Sequence, residues 1–178
     1  MRKTLYYSLI LIALGFFSCQ ENPKVVKEKK PRIFPEYHEA LDEIIRNKEG
    51  VIRGVDLNSK ASLITKTETK PPSEVDHDYL YFEYTIDSVT NYSVAYFLQK
   101  DSLDEVEVQI NCNDLDLSAQ LFNDLKTYYE KKLPNPTEDK GFVVYNCFEG
   151  ERKPFVVSLT DNSTPNKGII NLLIYRDK

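Results

Sequence analysis

The sequence predicts an α+β fold: an antiparallel sheet of about six strands with helices packed on one face and an extra N-terminal helix. Three observations carry this reading. One clear helical pattern runs from Asp116 to Leu133, three strand-like runs precede it, and three more follow it. Helix then three strands, twice, is an internal repeat with a period of about 60 residues. One half alone could not bury its sheet face, whereas two halves side by side could.

In the central helix Leu121, Phe122, Leu125, Tyr129 and Leu133 recur at helical spacing. Asp116 or Ser118 is placed to cap it, and Pro134 stops it. Ahead of it, Leu80, Phe82, Tyr84 and Ile86 share one face of a first strand, and Tyr92, Val94, Tyr96 and Leu98 one face of a second. Val106, Val108, Ile110 and Cys112 share one face of a third, with Glu105, Glu107, Gln109 and Asn111 on its wet side. Polar turns at Asp87 to Asn91 and Lys100 to Asp104 make these three a meander. After the helix, Gly141 to Glu149, Pro154 to Thr160 and Ile169 to Tyr175 read as strands. The last is apolar on both faces, which places it mid-sheet or beneath a helix.

The N-terminal part of the fold is helical in pattern. Tyr37, Ala40, Leu41, Ile44 and Ile45 give Pro35 to Lys48 an amphipathic helix of about three turns, ending at Gly50. Val51 to Leu57 reads as a short strand or bend. Asn58 or Ser59 caps a weaker helix through Ala61, Leu63 and Ile64, which Pro71 and Pro72 end.

The composition is that of a globular chain, with 41% hydrophobic and 29% charged residues. Twelve Tyr, nine Phe and no Trp favour half-buried strand positions, where a ring packs and a hydroxyl stays wet. The net charge is -5 and no basic stripe with interleaved aromatics occurs, which argues against nucleic acid as a partner. Two histidines, His38 and His77, leave little material for acid/base or metal chemistry.

Residues 1–19 read as an export signal: Arg2 and Lys3 precede an apolar run from Leu5 to Phe17 that is too short for a mature membrane helix. Its end, Leu14-Gly15-Phe16-Phe17-Ser18-Cys19, resembles the lipobox of bacterial lipoproteins in its relaxed Bacteroidetes form. Phe16 departs from the usual Leu and Phe17 from a smaller residue. The resemblance implies cleavage before Cys19, acylation of Cys19, and a lipid anchor in the cell envelope, most simply the outer membrane. Residues 20–35 are polar and Pro-punctuated, with Lys24, Lys27, Lys29, Lys30 and Arg32, and read as a tether. Residues 36–178 then form a single α+β domain with halves at about 51–112 and 113–178.

The segment from Gly54 through Val55, Asp56, Leu57, Asn58, Ser59, Lys60, Ala61, Ser62 and Leu63 to Ile64 is similar to the strand-to-helix entry of periplasmic αβ repeat proteins of the SmpA/BLIP type. That resemblance implies scaffolding or inhibition by binding another protein. Asn58 stands where those proteins prefer Gly, and no functional residue carries over.

Candidate chemistry is sparse. Cys112 and Cys147 remain after export and read either as a disulfide locking the halves, contributing roughly 3 to 4 kcal/mol, or as two buried thiols. Asp76-His77-Asp78 offers three ligand-type side chains, but neighbouring residues are expected to point apart, so a solvated loop is the reading. Asn113, Asp114 and Asp116 suit helix capping rather than calcium. Asp87-Ser88-Val89 and Asp101-Ser102-Leu103 resemble the O-glycosylation pattern of exported Bacteroidetes proteins, and both fall in expected hairpin turns. Asn162-Ser163-Thr164 matches an N-linked sequon, which belongs to a different export route. No phosphate loop, nucleophile elbow or paired carboxylates in a credible cleft occur, and no catalytic residue, metal or cofactor is assigned.

The expected protein is therefore an envelope-anchored lipoprotein that binds the membrane through its lipid. Its expected role is non-catalytic recognition of another protein or an envelope component. An inhibitor or immunity protein against a toxin or hydrolase is the second expectation, favoured by an acidic fold facing a basic target. A hydrolase is the third, and it needs a cleft lined by polar residues of both halves.

Overall fold

Local turns cut the two N-terminal helices short. The computed structural model describes residues 31–133, 135–147 and 154–177, and Arg32–Lys178 forms one compact unit. Cys19 and residues 20–30 of the expected tether lie outside the described residues, whereas Arg32 to Pro35 belong to the compact unit and Phe34 is buried in its core. Helix α1 spans only Ala40–Ile45, because Arg46 turns left-handed (φ 60°) and its N–H closes on Asp42 O. Its Leu41, Ile44 and Ile45 are fully buried. Val51 to Leu57 then forms a tight turn bridged by Ile52 and Val55. Gly50 opens it at φ +72°, where an added Cβ would meet Val55 O at 2.6 Å. Helix α2, Ala61–Thr67, is entered from Lys60 with no side-chain cap, rather than from Asn58 or Ser59. It buries Ile64 and leaves Leu63 exposed.

The strands that follow are β1 (Glu74–Asp76), β2 (Tyr79–Thr85), β3 (Thr90–Gln99) and β4 (Ser102–Cys112). After helix α3 (Leu115–Lys132) come β5 (Thr137–Asp139), β6 (Phe142–Cys147), β7 (Phe155–Asp161) and β8 (Gly168–Arg176). All pair antiparallel in one eight-stranded sheet, ordered β1-β2-β3-β4-β8-β7-β6-β5. The six-strand, two-half layout is thereby corrected. The added strands are three-residue pieces, β1 and β5, too short for any alternation to show in sequence. They form the two edges, and short, charged edges discourage pairing with another chain. The strands on either side of α3 join in one continuous sheet, because β4 pairs with β8 from Glu105↔Tyr175 to Cys112↔Gly168. β8 lies mid-sheet, as its two apolar faces require.

Helix α3 is capped by Asp114, not by Asp116 or Ser118: its carboxylate accepts from Asp116 N at 3.0 Å and Leu117 N at 3.1 Å. Replacing Asp114 with Ala should cost about 1 kcal/mol of unfolding free energy, read by urea denaturation. Ser118, Leu121, Leu125, Tyr128 and Tyr129 form the buried side of α3, which packs on β4, β7 and β8 and against α1. The core lies between these helices and one sheet face carrying Phe82, Tyr96, Val106, Val108, Ile110, Leu159, Leu172 and Ile174. The opposite sheet face has no helix on it among the described residues.

Candidate functional site: a groove on the open sheet face

The densest polar cluster is buried on the helix side, where Arg53 and Glu68 meet. Arg53 Nε donates to Glu68 Oε1 at 2.8 Å and its Nη2 to Oε2 at 2.6 Å. Arg46 donates to Oε2 at 2.9 Å, Tyr84 OH to Oε2 at 2.6 Å, and Tyr96 OH to Oε1. Arg53 Nη1 also donates to the carbonyls of Glu43 and Ile44, both at 2.8 Å, and its guanidinium lies over the rings of Tyr84 and Tyr92. Burial alone would raise the Glu68 carboxyl, but Arg53 and the hydroxyls of Tyr84 and Tyr96 together hold it below its ordinary value. Burial and the Glu68 carboxylate push both Tyr84 and Tyr96 upward. The Glu68 side chain is 0% exposed, so the pair acts as a strut tying the Val51–Leu57 turn to β2 and β3.

The open face is organised differently. Cross-strand register aligns Tyr79, Phe97 and Glu105 in one row and Tyr81, Ala95 and Glu107 in the next. Glu83, Ser93 and Gln109 form the third row, and Thr85, Asn91 and Asn111 the fourth. Directly opposite residues in an antiparallel pair share a face, so β3 supplies a floor of small side chains between taller residues of β2 and β4. The result is a depression of about 310 Å³ lined by Tyr81, Glu83, Asn91, Ser93, Gln109 and Asn111. Aromatic rings close one end: Tyr79 stacks on Tyr81 at 6.0 Å between centroids and meets Phe97 at 5.3 Å. The Tyr79 hydroxyl is pushed above its usual range by partial burial and by Glu74, Tyr81 and Glu107 around it. Beyond β4 the face continues through Ile169, Asn171, Leu173 and Tyr175, and the buried Asn171 Oδ1 has no hydrogen-bond partner among the described residues.

No family model, curated protein or solved structure matches this chain.

The residues singled out in sequence fall in four different places. Cys112 and Cys147 are free thiols. Cys112 pairs with Gly168 at the start of β8, whereas Cys147 pairs through Phe155 with Arg176 at its end. At about 3.3 Å per residue that offset is about 25 Å along the strands, far beyond disulfide reach. Buried Cys112 instead packs beside Thr90 Oγ1 at 3.6 Å. Ser88 is exposed in the β2–β3 turn, where Asp87 accepts from Val89 N and Thr90 N. Ser102 is not in a turn: it opens β4, and its hydroxyl accepts from Lys60 Nζ at 3.2 Å.

Asp76, His77 and Asp78 converge rather than diverge. His77 Nδ1 lies 3.3 Å from Asp76 and Nε2 3.3 Å from Asp78, all strongly exposed. Their ligand-type atoms lie within 4.8 Å of one another, and the cluster is explained as a self-paired turn. A second hollow of about 220 Å³, lined by Gly50, Val51, Tyr129, Lys132, Leu133 and Phe155, is mostly apolar. Its cation, Lys132, donates to the carbonyls of Lys48 and Gly50.

The groove was not named from sequence, although half of it was visible in the wet side of β4. The missing half was the Tyr79, Tyr81, Glu83 side of β2 and the small residues Ala95 and Ser93 in β3. The groove offers ring faces, carboxylates and amides. Among the described residues it pairs no nucleophile with a base, since His38 sits beside Asp124 of α3 and His77 pairs within its own turn.

Proposed function

We propose that this protein is a lipoprotein anchored in the cell envelope through Cys19 and that it works as a non-catalytic binding module, seating a partner polypeptide in the groove over β3. The observation that carries the reading is the asymmetry of the sheet. One face is sealed by α3, α1 and the Arg53–Glu68 strut, while the other is uncovered among the described residues and shaped into a trough by the alternation of small and tall side chains. An extended segment laid along β3 would bury its side chains between the two walls and exchange hydrogen bonds with Glu83, Ser93, Gln109 and Asn111. The lipid on Cys19 and the polar run that leads from it into the fold would hold the domain near the membrane while letting it turn toward a partner.

A photo-reactive residue placed at Ser93, compared with one at the exposed Thr127 on α3, tests this in cells of the source organism. The expected result is an adduct of one discrete mass from position 93 only, in the membrane fraction, with acylated Cys19 in its peptide map. Adducts from position 127 alone, or an unprocessed chain in the soluble fraction, would overturn the proposal.

A further inference from the structure

We infer that the groove is built for a cationic partner: Lys or Arg side chains at alternate positions of an extended polypeptide segment, the first seated over Ser93. The inference rests on the binding role proposed above for the same groove and names the chemistry of its occupant.

Charge is the first argument. The open-face positions of β1 to β4 include Glu74, Glu83 and Glu107, and neither the open-face positions of these strands nor the facing positions of β8 include a Lys, Arg or His. Elsewhere in the fold acids are neutralised locally: Asp42 by Arg32, Glu68 by Arg53, Asp104 by Arg176, and Glu138 by Lys126. Glu74, Glu83 and Glu107 form no ion pair with any described residue. Like charges gathered on one face repel one another, and a cationic ligand relieves that cost.

Ring geometry is the second. In this fold cations habitually sit over aromatic faces: Lys70 over Tyr84 at 4.5 Å, Lys132 over Tyr128 at 4.7 Å, Lys131 over Tyr37 at 4.8 Å and Arg53 over Tyr84 at 5.0 Å. The rings of the open face, Tyr79, Tyr81 and Phe97, carry no such cation among the described residues. Their stacking leaves them grouped around the place where a guanidinium or ammonium would add the missing contact.

Shape is the third. Ser93 is the smallest residue lining the depression, flanked across the strands by Glu83 and Gln109, with Tyr81 at its rim, whereas Ala95 beyond it is only 7% exposed. A long side chain descending over Ser93 meets the Glu83 carboxylate and the Tyr81 side chain. The next open-face row, Tyr81 to Glu107, lies two residues along β3, about 6.6 Å, which is the spacing of alternate side chains in an extended peptide. A second cation would thus meet Glu107 and the rings grouped beside it. An anionic ligand, whether nucleic acid or acidic lipid, would face the same carboxylates and be repelled.

The test uses the full chain, isotope-labelled, with two synthetic probes: an acetylated, amidated Thr-Arg-Thr-Arg-Thr peptide and its Thr-Gln-Thr-Gln-Thr counterpart. The expected result is that only the Arg peptide shifts backbone amides, with the changes concentrated at residues 93–97 and 105–109. Glu107→Gln should weaken binding about fivefold, and Ser93→Leu, which fills the recess, should weaken it at least as much. Glu49→Gln, which removes one charge elsewhere, should leave it unchanged. Shifts spread over the whole acidic surface, equal losses in Glu107→Gln and Glu49→Gln, or equal binding of the Gln peptide would overturn the inference. If position 93 still captures a discrete partner in cells while the Arg peptide gives no shifts, the binding role stands and the cationic occupant is refuted. If position 93 captures nothing, the binding role itself fails.

Discussion

Truncating Glu68 to Ala is expected to lower the unfolding free energy by about 3–5 kcal/mol, the cost of removing one partner from a buried ion pair. Arg53 would remain nine-tenths or more out of water with its charge uncompensated, and Tyr84 and Tyr96 would lose their acceptor. Urea denaturation of the folded domain reads this directly. The pH dependence follows with a definite sign. The carboxyl titrates below its ordinary value of 4.5 in the fold, so its contribution is fully present above that value and is lost as pH falls through the lower, folded value. Stability of the wild type should therefore drop on acidification below about pH 4.5, and the drop should be shallower in Glu68→Ala. A parallel fall in both proteins would show that the strut contributes nothing to acid sensitivity.

Gly168→Val is the second large effect, expected at about 3 kcal/mol, at the upper end of ordinary overpacking. The cost is one of space, since an added Cβ at Gly168 would lie 2.3 Å from both Cβ and Oγ of Ser118 and 3.2 Å from Cys112 O. This is where α3 comes closest to β8, so a larger side chain must push the helix off the centre of the sheet. Gly168→Ala combined with Ser118→Gly should be less destabilising than the sum of the two single changes, because the second removes the atoms that the first strikes. A double-mutant cycle by thermal unfolding measures that coupling. Strict additivity would mean that α3 does not rest on Gly168.

The parts legible in sequence were those where a period has room to repeat. Tyr79–Thr85, Thr90–Gln99 and Ser102–Cys112 each alternate through enough residues to name their core face, and the buried side of α3 recurs over several turns. Edge strands of three residues carry no period, so the sheet was read two strands short. The Pro35 to Lys48 pattern was genuine as a burial pattern, yet the left-handed turn at Arg46 limits the helix to Ala40–Ile45. The Arg53–Glu68 pair was invisible because it joins a turn to the end of a weak helix, and neither position looks apolar. Cys112 and Cys147 looked like natural partners until register placed them at opposite ends of β8. The groove was half legible: alternation named the wet side of β4, but pairing with Ala95 and Tyr81 depends on register, which no single strand contains.

Carboxyl footprinting is the measurement that bears most directly on the central claim, that the open sheet face is the working surface. Carbodiimide-driven labelling of intact envelopes, followed by mass spectrometry, would be compared with labelling of the purified protein. The expected result is protection of Glu83 and Glu107 in the envelope, with the acids of α3, Asp116 and Glu130, labelled equally in both. Equal labelling of Glu83 and Glu107 in the two preparations, or protection confined to α3, would contradict the account and move the binding surface to the helical side.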